Sequence, residues 1–247
     1  MSIVSSDYRK YSFKPLDLII HITLGITFLM LSIPLSITLV SAATENINPL
    51  IYRPDEKIFG LSYGEWGANW WKWALSIPKP DNPLFDNTGV KCSINQNGSV
   101  WLLAGTYRGS VERQCDILSG KAILFPVINV ECSVLEGDGK TESELKTCTN
   151  GLIKQLRFME ASVDGAKIEN LEKYRAQSNL FEFKLPSDNT LGRPAGSSGS
   201  VSDGYWIMLK PLSPGKHEIH FRAVMGQPGS TSNINFGTEV KYHLNVK

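Results

Sequence analysis

Two histidines near the C-terminal end could share a metal ion. His220 and His243 lie on the polar sides of two segments, 217–224 and 239–246, in which apolar and polar residues alternate. If these segments pair as a symmetric hairpin, the two imidazoles come opposite each other and Glu218 could supply a third ligand. A shift of one residue in the register would separate them. Two solvated histidines on an outer sheet face are therefore the simpler interpretation.

A tryptophan-rich helix is the second place where chemistry could occur. Ser62 and Glu65 form a capping box, and the helix is expected to span 63–76 because prolines follow at positions 78 and 80. Trp66, Trp70 and Trp73 share one helical face. We expect these three indoles to pack on a β-sheet as part of the core.

Trp71 points away from that face, about 140° from Trp66 on the helical wheel. A partly exposed indole on this side could stack on a sugar or an aromatic ligand. The candidate ligand-binding residues are therefore Trp71 and, on the same helix, Glu65. A second packing contact or a membrane-facing position is the alternative for Trp71.

Catalysis has little support in the sequence. It contains no H-E-x-x-H motif and no cysteine in a nucleophile setting, so no catalytic residue is assigned. Paired carboxylates could hydrolyse glycans, and the available ones include Glu65, Asp116, Glu131 and Asp164. Any chain of this size has as many. An enzyme is thus less favoured than a binding protein, and we expect no cofactor.

Four cysteines predict two disulfides. Cys92, Cys115, Cys132 and Cys148 lack the closely spaced pairs of a zinc site, and their even number suits an oxidising compartment. Three pairings are possible. We favour the sequential one, Cys92 with Cys115 and Cys132 with Cys148, in which each bridge closes a loop beside a predicted strand.

Two surface features are weaker. Asn97 begins an Asn-Gly-Ser acceptor for N-glycosylation, which has meaning only in a host that glycosylates exported proteins. The acidic segment 136–144 could hold calcium, although its spacing does not match an EF-hand and a solvated turn is the simpler interpretation.

The N-terminal segment 1–43 has the features of an export signal or a membrane anchor. Three basic residues precede an uncharged run at 18–40, and small residues follow at 41–43. The run is long enough to cross a membrane as a helix, whereas Pro34 and the small residues favour cleavage. In both cases the rest of the chain is expected outside the cytoplasm, secreted or held on the outer face of the membrane.

The remainder of the chain carries 22 Lys and Arg against 22 Asp and Glu. A formally neutral domain lacks the field that attracts nucleic acid or an anionic membrane. Nucleic acid is therefore excluded as an expected partner, and membrane contact is expected only through an uncleaved N-terminal segment. A glycan or another component of the cell envelope remains possible as a partner.

Short β-rich runs separated by turn signals predict an antiparallel β-sandwich, Ig-like or jelly-roll-like, with the tryptophan helix packed on it. The predicted strands are 99–104, 122–130, 155–161, 180–185, 205–209, 217–224 and 239–246. The Gly- and Ser-rich segment 193–202 is expected to be a mobile loop. The expected organisation is a tether at 44–60 and one domain at 61–247.

Several segments together resemble a group of exported microbial proteins known mainly as hypothetical proteins. They are YGEWGANWWKWALSIP (63–78), NPLFD (82–86), VWLLAG (100–105), GKAILFP (120–126), NVEC (129–132), DGYW (203–206) and PGKHEIHF (214–221), with Cys115. The resemblance covers about 61–246 and implies a single domain there. It implies no activity and no functional residue.

The sequence thus predicts an exported or membrane-anchored binding or cell-surface module. A glycan hydrolase acting outside the cytoplasm and a structural or accessory subunit of an envelope complex are the alternatives.

Overall fold

The described part of the protein, residues 48–107, 109–226 and 234–247 of a computed structural model, is mainly β. The helices are α1 (Tyr63–Ser76) and α2 (Glu142–Ile153). The strands are β1 (Val100–Leu102), β2 (Gly109–Ile117), β3 (Ala122–Ser133), β4 (Leu156–Val163), β5 (Ala166–Lys167), β6 (Arg175–Gln177), β7 (Phe181–Leu185), β8 (Gly196–Leu209), β9 (Gly215–Gly226) and β10 (Ile234–Val246). Short 3-10 turns lie at Lys79–Asp81, Pro83–Phe85 and Leu171–Tyr174.

The strands form two sheets that face each other. The first has the order β1-β3-β8-β6, with β7 also paired to β8, and the second has the order β2-β10-β9-β4-β5. Phe125 of β3 stacks on Phe221 of β9 with ring centroids 5.2 Å apart, and both are fully buried. The expected mainly-β sandwich with a helix packed on it is confirmed.

The sheets are mixed, which corrects the expectation of purely antiparallel pairing. β1 pairs with β3 in parallel, and β2 pairs with β10 in parallel. The sequence analysis did not predict β2. Its apolar positions alternate with exposed polar ones, but Arg113 takes one of the buried positions and interrupts the apolar pattern.

Helix α1 lies on the first sheet because two of its glycines allow a close approach. A Cβ at Gly67 would come 2.8 Å from the indole of Trp206, and one at Gly64 would come 2.5 Å from the carbonyl oxygen of Gln177. Trp70 of α1 meets Trp206 edge to face at 5.7 Å. The predicted capping box of Ser62 is present, so the bounds of the helix agree with those expected from the sequence.

The Gly- and Ser-rich segment expected to be a loop is a strand from Gly196 onward. This part of β8 pairs with β3 on one side and with β7 on the other, and Ser200 and Ser202 are fully buried. Small residues fit here because α2 and β7 pack closely on β8. The expectation of a mobile loop was wrong for these residues.

From Asn48 on, the segment expected to be a tether packs on the first sheet. Ile51 is buried and bridges to Leu209, and the amide of Tyr52 donates to the carbonyl of Met208 at 3.0 Å. None of the described helices has the length and apolar character needed to cross a bilayer. The candidate span at 18–40 lies outside the described residues.

Both sequential disulfides are present. Cys92–Cys115 ties the loop before β1 to β2, and Cys132–Cys148 ties β3 to α2. Two disulfides are consistent with an extracellular location.

Candidate functional site

A cavity of about 240 Å³ lies between α1 and the end of β3. The loop after β1, the segment before β8 and the start of β10 complete its walls, so both sheets contribute to it. Much of the wall is apolar, with Trp70, Leu75, Leu84, Val127 and Leu191. Concave sites with apolar walls and a few polar groups are typical of small-molecule sites.

Three of the four tryptophans of α1 are fully used in packing. The indole nitrogens of Trp66, Trp70 and Trp73 donate to backbone carbonyls at 2.8–3.0 Å. The accepting residues are Ile58, Leu103 and Ile94, respectively. These three indoles therefore anchor the helix, as the sequence analysis expected.

Trp71 is different, because it lines the cavity and its indole nitrogen has no acceptor among the described residues. The side chain is partly buried and meets Trp70 edge to face at 5.2 Å. Its position on α1, one residue beyond the buried Trp70, places it beside the cavity and not on the main packing face. The nitrogen of Trp71 is thus a buried donor that remains to be paired.

Two further residues that line the cavity also carry unpaired buried atoms. They are Nδ2 of Asn129 on β3 and Oγ1 of Thr238 on β10. Buried polar groups are paired in the great majority of cases, because an unpaired one costs about 1–3 kcal/mol. Three of the residues that line the cavity thus each contain an unpaired buried polar atom.

Two carboxyl groups line another part of the cavity wall. Burial raises the pKa of Glu131 to about 8; a hydrogen bond from Ser200 Oγ to its Oε1 opposes this rise, and the nearby carboxyl of Glu136 reinforces it. Glu136 itself accepts from Ser133 Oγ at 2.9 Å. Glu131 is therefore largely protonated at neutral pH.

The carboxyl of Glu136 is near enough to raise the pKa of Glu131 further. Two carboxyl groups on one wall of the cavity could contact polar groups of a ligand.

An aromatic pair extends the site to the surface. Tyr107 lines the cavity, is 56% exposed and stacks on Phe85 with ring centroids 5.4 Å apart. The ammonium group of Lys79 lies 5.6 Å from the centre of the Phe85 ring. This exposed apolar surface adjoins the cavity and could contact the outer part of a ligand.

The loop that carries Tyr107 is held by a buried arginine. Arg113 of β2 donates from Nη1 to the carbonyls of Ala104 and Gly105, at 2.8 and 2.9 Å, and to the hydroxyl of Tyr242 at 2.8 Å. Arg113 is 1% exposed and lies over the ring of Tyr242. Its fixed guanidinium therefore positions one wall of the cavity.

Glu65 does not join Trp71 at the cavity. Its carboxylate accepts from the backbone nitrogen of Ser62 at 2.8 Å and from the Ser62 hydroxyl, and these hydrogen bonds lower the pKa of the exposed carboxyl. The structure assigns Glu65 to the helix cap. Of the two candidate ligand-binding residues, only Trp71 lies at the cavity.

The candidate metal site is not assembled, because the β9–β10 register is shifted by two residues from the symmetric one. His220 lies opposite Lys241, and His243 lies opposite Glu218. His220 Nε2 is 3.0 Å from Glu239, and His243 Nδ1 is 3.7 Å from Glu218. His220, His243 and Glu218 do not form a common ligand set among the described residues.

One cluster of potential metal ligands and the predicted glycosylation acceptor remain to be placed. The ligand atoms of Cys132, Asp138 and Cys148 lie close together, but the two sulfurs are joined in a disulfide and cannot act as thiolate ligands. Asn97 is exposed in the loop before β1, which is the exposure that a glycosylation acceptor needs.

A serine, a histidine and an aspartate meet at the start of β9, outside the cavity. His217 Nδ1 is 2.7 Å from Asp164 Oδ2, and its Nε2 is 3.4 Å from Ser213 Oγ. The same Nε2 is 2.9 Å from the carbonyl oxygen of Ser213, to which it must donate a proton. Because that proton occupies the nitrogen a catalytic base would need free, the group closes the turn and does not activate the serine.

Sequence reasoning missed Asn129 and Thr238 and considered Glu131 only as one of several spare carboxylates. A signal was present: Asn129 and Glu131 are polar residues at alternate positions near the end of an otherwise apolar strand. Polar residues on one face of such a strand often mark a site. Nothing near Thr238 distinguishes it in the sequence.

Comparisons with known proteins add no family. No protein-family model matches the sequence, and no curated protein matches it. A solved structure described as "Solution Structure of Amebosin" is similar with a TM-score of 0.16 and 10% identity, over 57% of this chain and 98% of that chain. Similarity at this level carries no argument about fold or function.

Proposed function

We propose that this protein is a binding module that works outside the cytoplasm and takes its ligand in the cavity beside Trp71. The cavity carries the proposal, because an apolar wall with a few polar residues, Trp71, Asn129 and Glu131 among them, is the usual lining of a small-molecule site.

Export or anchoring through the segment 1–43 is part of the proposal. Its support is the basic residues followed by an apolar run and small residues, together with two disulfides that suit an oxidising compartment. A cavity outside the cytoplasm would have access to envelope components and to small molecules in the surroundings.

The indole N–H resonances of the six tryptophans offer a direct test. Nitrogen-15-labelled protein would be titrated separately with monosaccharides, amino acids, carboxylic acids and aromatic amides. We expect at least one class to shift the Trp71 resonance to saturation. Trp71→Phe, followed through the resonance of Trp70, which also lines the cavity, should abolish the binding.

Trp101→Phe is the matched control, because the Trp101 nitrogen is also buried and unpaired but does not line the cavity. This variant should bind as the natural protein does. If no class of molecule moves the Trp71 resonance, the cavity holds only water and the proposal fails.

A further inference from the structure

From the open edge of the first sheet we infer that two copies of this chain associate through β7 (Phe181–Leu185), with the two β7 strands paired antiparallel. The inference goes beyond the proposed function and does not depend on it, because no residue of β7 lines the cavity. It is carried by unpaired backbone groups along β7, by a strand sequence that is complementary to itself, and by two exposed charges without ion-pair partners among the described residues.

The outer side of β7 has no strand beside it. β7 pairs with β8 and with no other described strand. Glu182 lies opposite Gly199 of β8, and the carbonyl of Gly199 accepts from the amide of Val134 on the far side of β8. In an antiparallel pair, opposed residues that do not bond each other both turn their backbone groups away, so Glu182 and, two residues along, Lys184 turn theirs outward. None of the described residues pairs these N–H and C=O groups.

Helix α1 packs on one face of β7 and not along its edge. The helix lies over β8, where Gly67 meets Trp206, and its residues Ala68 and Leu75 pack on the buried apolar side chains of β7. The charged side chains of β7 project from the other face and are exposed. A second strand can therefore approach the edge, and an open edge is a template for strand pairing.

The sequence of β7, Phe-Glu-Phe-Lys-Leu, complements itself when two antiparallel copies meet around a twofold axis at Phe183. Glu182 of each copy then lies opposite Lys184 of the other, on the same exposed face. These are the residues whose backbone groups turn outward, so each pair exchanges both of its backbone hydrogen bonds and adds an ion pair. Apolar residues meet on the buried face, where Phe181 lies opposite Leu185.

Charge selects this register. Charged residues usually keep edge strands apart, because like charges oppose each other when two copies meet. A shift of two residues in either direction would place Glu182 opposite Glu182, or Lys184 opposite Lys184. Only the register centred on Phe183 sets opposite charges against each other. A second copy of this chain is therefore the partner whose charges match β7.

Sedimentation velocity of the purified full-length protein, from ~1 μM to ~1 mM, tests the association. We expect a monomer–dimer equilibrium in the natural protein. Glu182→Lys places like charges opposite each other in both pairs, and it should weaken the dimer at least about tenfold. Lys184→Glu should do the same. The double variant with both changes restores opposite charges and should dimerise as the natural protein does.

Glu172→Lys is the matched control, because it makes the same charge change at an exposed residue outside β7 and should leave the dimer unchanged. All variants keep the N-terminal segment, so any association through that segment is common to them. Since Glu182 and Lys184 are exposed, the variants should fold, which circular dichroism checks. A natural protein that stays monomeric at every concentration would overturn the inference. Single variants that associate normally, or a double variant that does not recover the lost association, would overturn it as well.

Discussion

The hydroxyl of Ser200 on β8 donates a hydrogen bond to Oε1 of Glu131 on β3, and this contact lies at the edge of the candidate cavity. Ser200 is fully buried and Glu131 is half-buried, so water has limited access to this contact. One hydrogen bond does not compensate for the burial of a charge, which is why the pKa of Glu131 stays high at about 8.

The first prediction is that the protein becomes less stable as the pH rises from 5 to 8. Glu131 has a pKa of about 8 in the folded state and an ordinary value of 4.5 when unfolded. Between these values the folded state binds more protons, so the free energy of unfolding falls by up to ~1.4 kcal/mol per pH unit. Urea unfolding at pH 5, 6, 7 and 8 measures this slope.

Glu131→Gln should remove most of the slope, because the amide has the same shape, still accepts from Ser200 and does not titrate. A smaller slope should remain above pH 6.5, because burial lowers the pKa of His217 less than its hydrogen bonds, chiefly with Asp164, raise it. Glu182→Gln removes an exposed carboxyl on β7 and should keep the full slope. An unchanged slope in Glu131→Gln would assign it to another group.

A second prediction concerns glycines in the two helices. Gly67→Ala should destabilise the protein by ~1–2 kcal/mol, because the new methyl group would come 2.8 Å from the buried ring of Trp206. The steric cost of this contact exceeds the ~1 kcal/mol that alanine gains over glycine in helix propensity. Thermal and urea unfolding would measure the change.

Gly151→Ala in α2 is the control of opposite sign. A Cβ at Gly151 meets nothing within 4 Å, so only the helix propensity acts and stability should rise by up to ~1 kcal/mol. If Gly67→Ala also stabilised the protein, α1 would not lie against Trp206 as described.

The features predictable from the sequence are those whose signals are local. The capping box of Ser62 and Glu65 lies within four residues, and it placed both ends of α1 correctly together with the prolines that follow. Sequential cysteines also close short loops, of 23 and 16 residues. The helix cap depends on neighbouring residues alone, whereas the sequential pairing of the cysteines was one of three that the sequence allowed.

The cavity could not be predicted because distant strands build it. Asn129 belongs to the first sheet and Thr238 to the second, and nothing in either segment shows that they meet. The β9–β10 register is another case. The symmetric hairpin is one of several registers that keep the same faces of the two strands buried. The observed shift of two residues preserves this alternation, but His220 and His243 are no longer opposite each other.

The third prediction is that each disulfide contributes about equally to stability. Loops of 23 and 16 residues correspond to ~3 kcal/mol each from restriction of the unfolded chain. The double variants Cys92→Ala with Cys115→Ala and Cys132→Ala with Cys148→Ala should therefore lose similar amounts in urea unfolding. An unchanged free energy in either variant would show that its bridge does not form.

The last prediction concerns Asn82, a fully buried residue whose amide nitrogen donates to the carbonyls of Ala74 and Ile77 at 2.7 and 3.1 Å. These carbonyls lie at the C-terminal end of α1, where no backbone amide of the helix can pair them. The side-chain oxygen accepts from the amide of Leu84 at 3.1 Å, so one residue ends the helix and begins the next turn.

Asn82→Asp keeps the size of the side chain but replaces the donor with an acceptor. In the variant an oxygen atom lies against the two helix carbonyls in place of the N–H donors. We expect the free energy of unfolding to fall by ~2–4 kcal/mol. Asp81→Asn replaces the carboxylate of the exposed neighbouring residue with an amide and should have little effect on stability. Because α1 carries Trp71, Asn82→Asp should also broaden the Trp71 indole resonance. A stable variant with a sharp Trp71 resonance would mean that Asn82 does not hold the end of the helix.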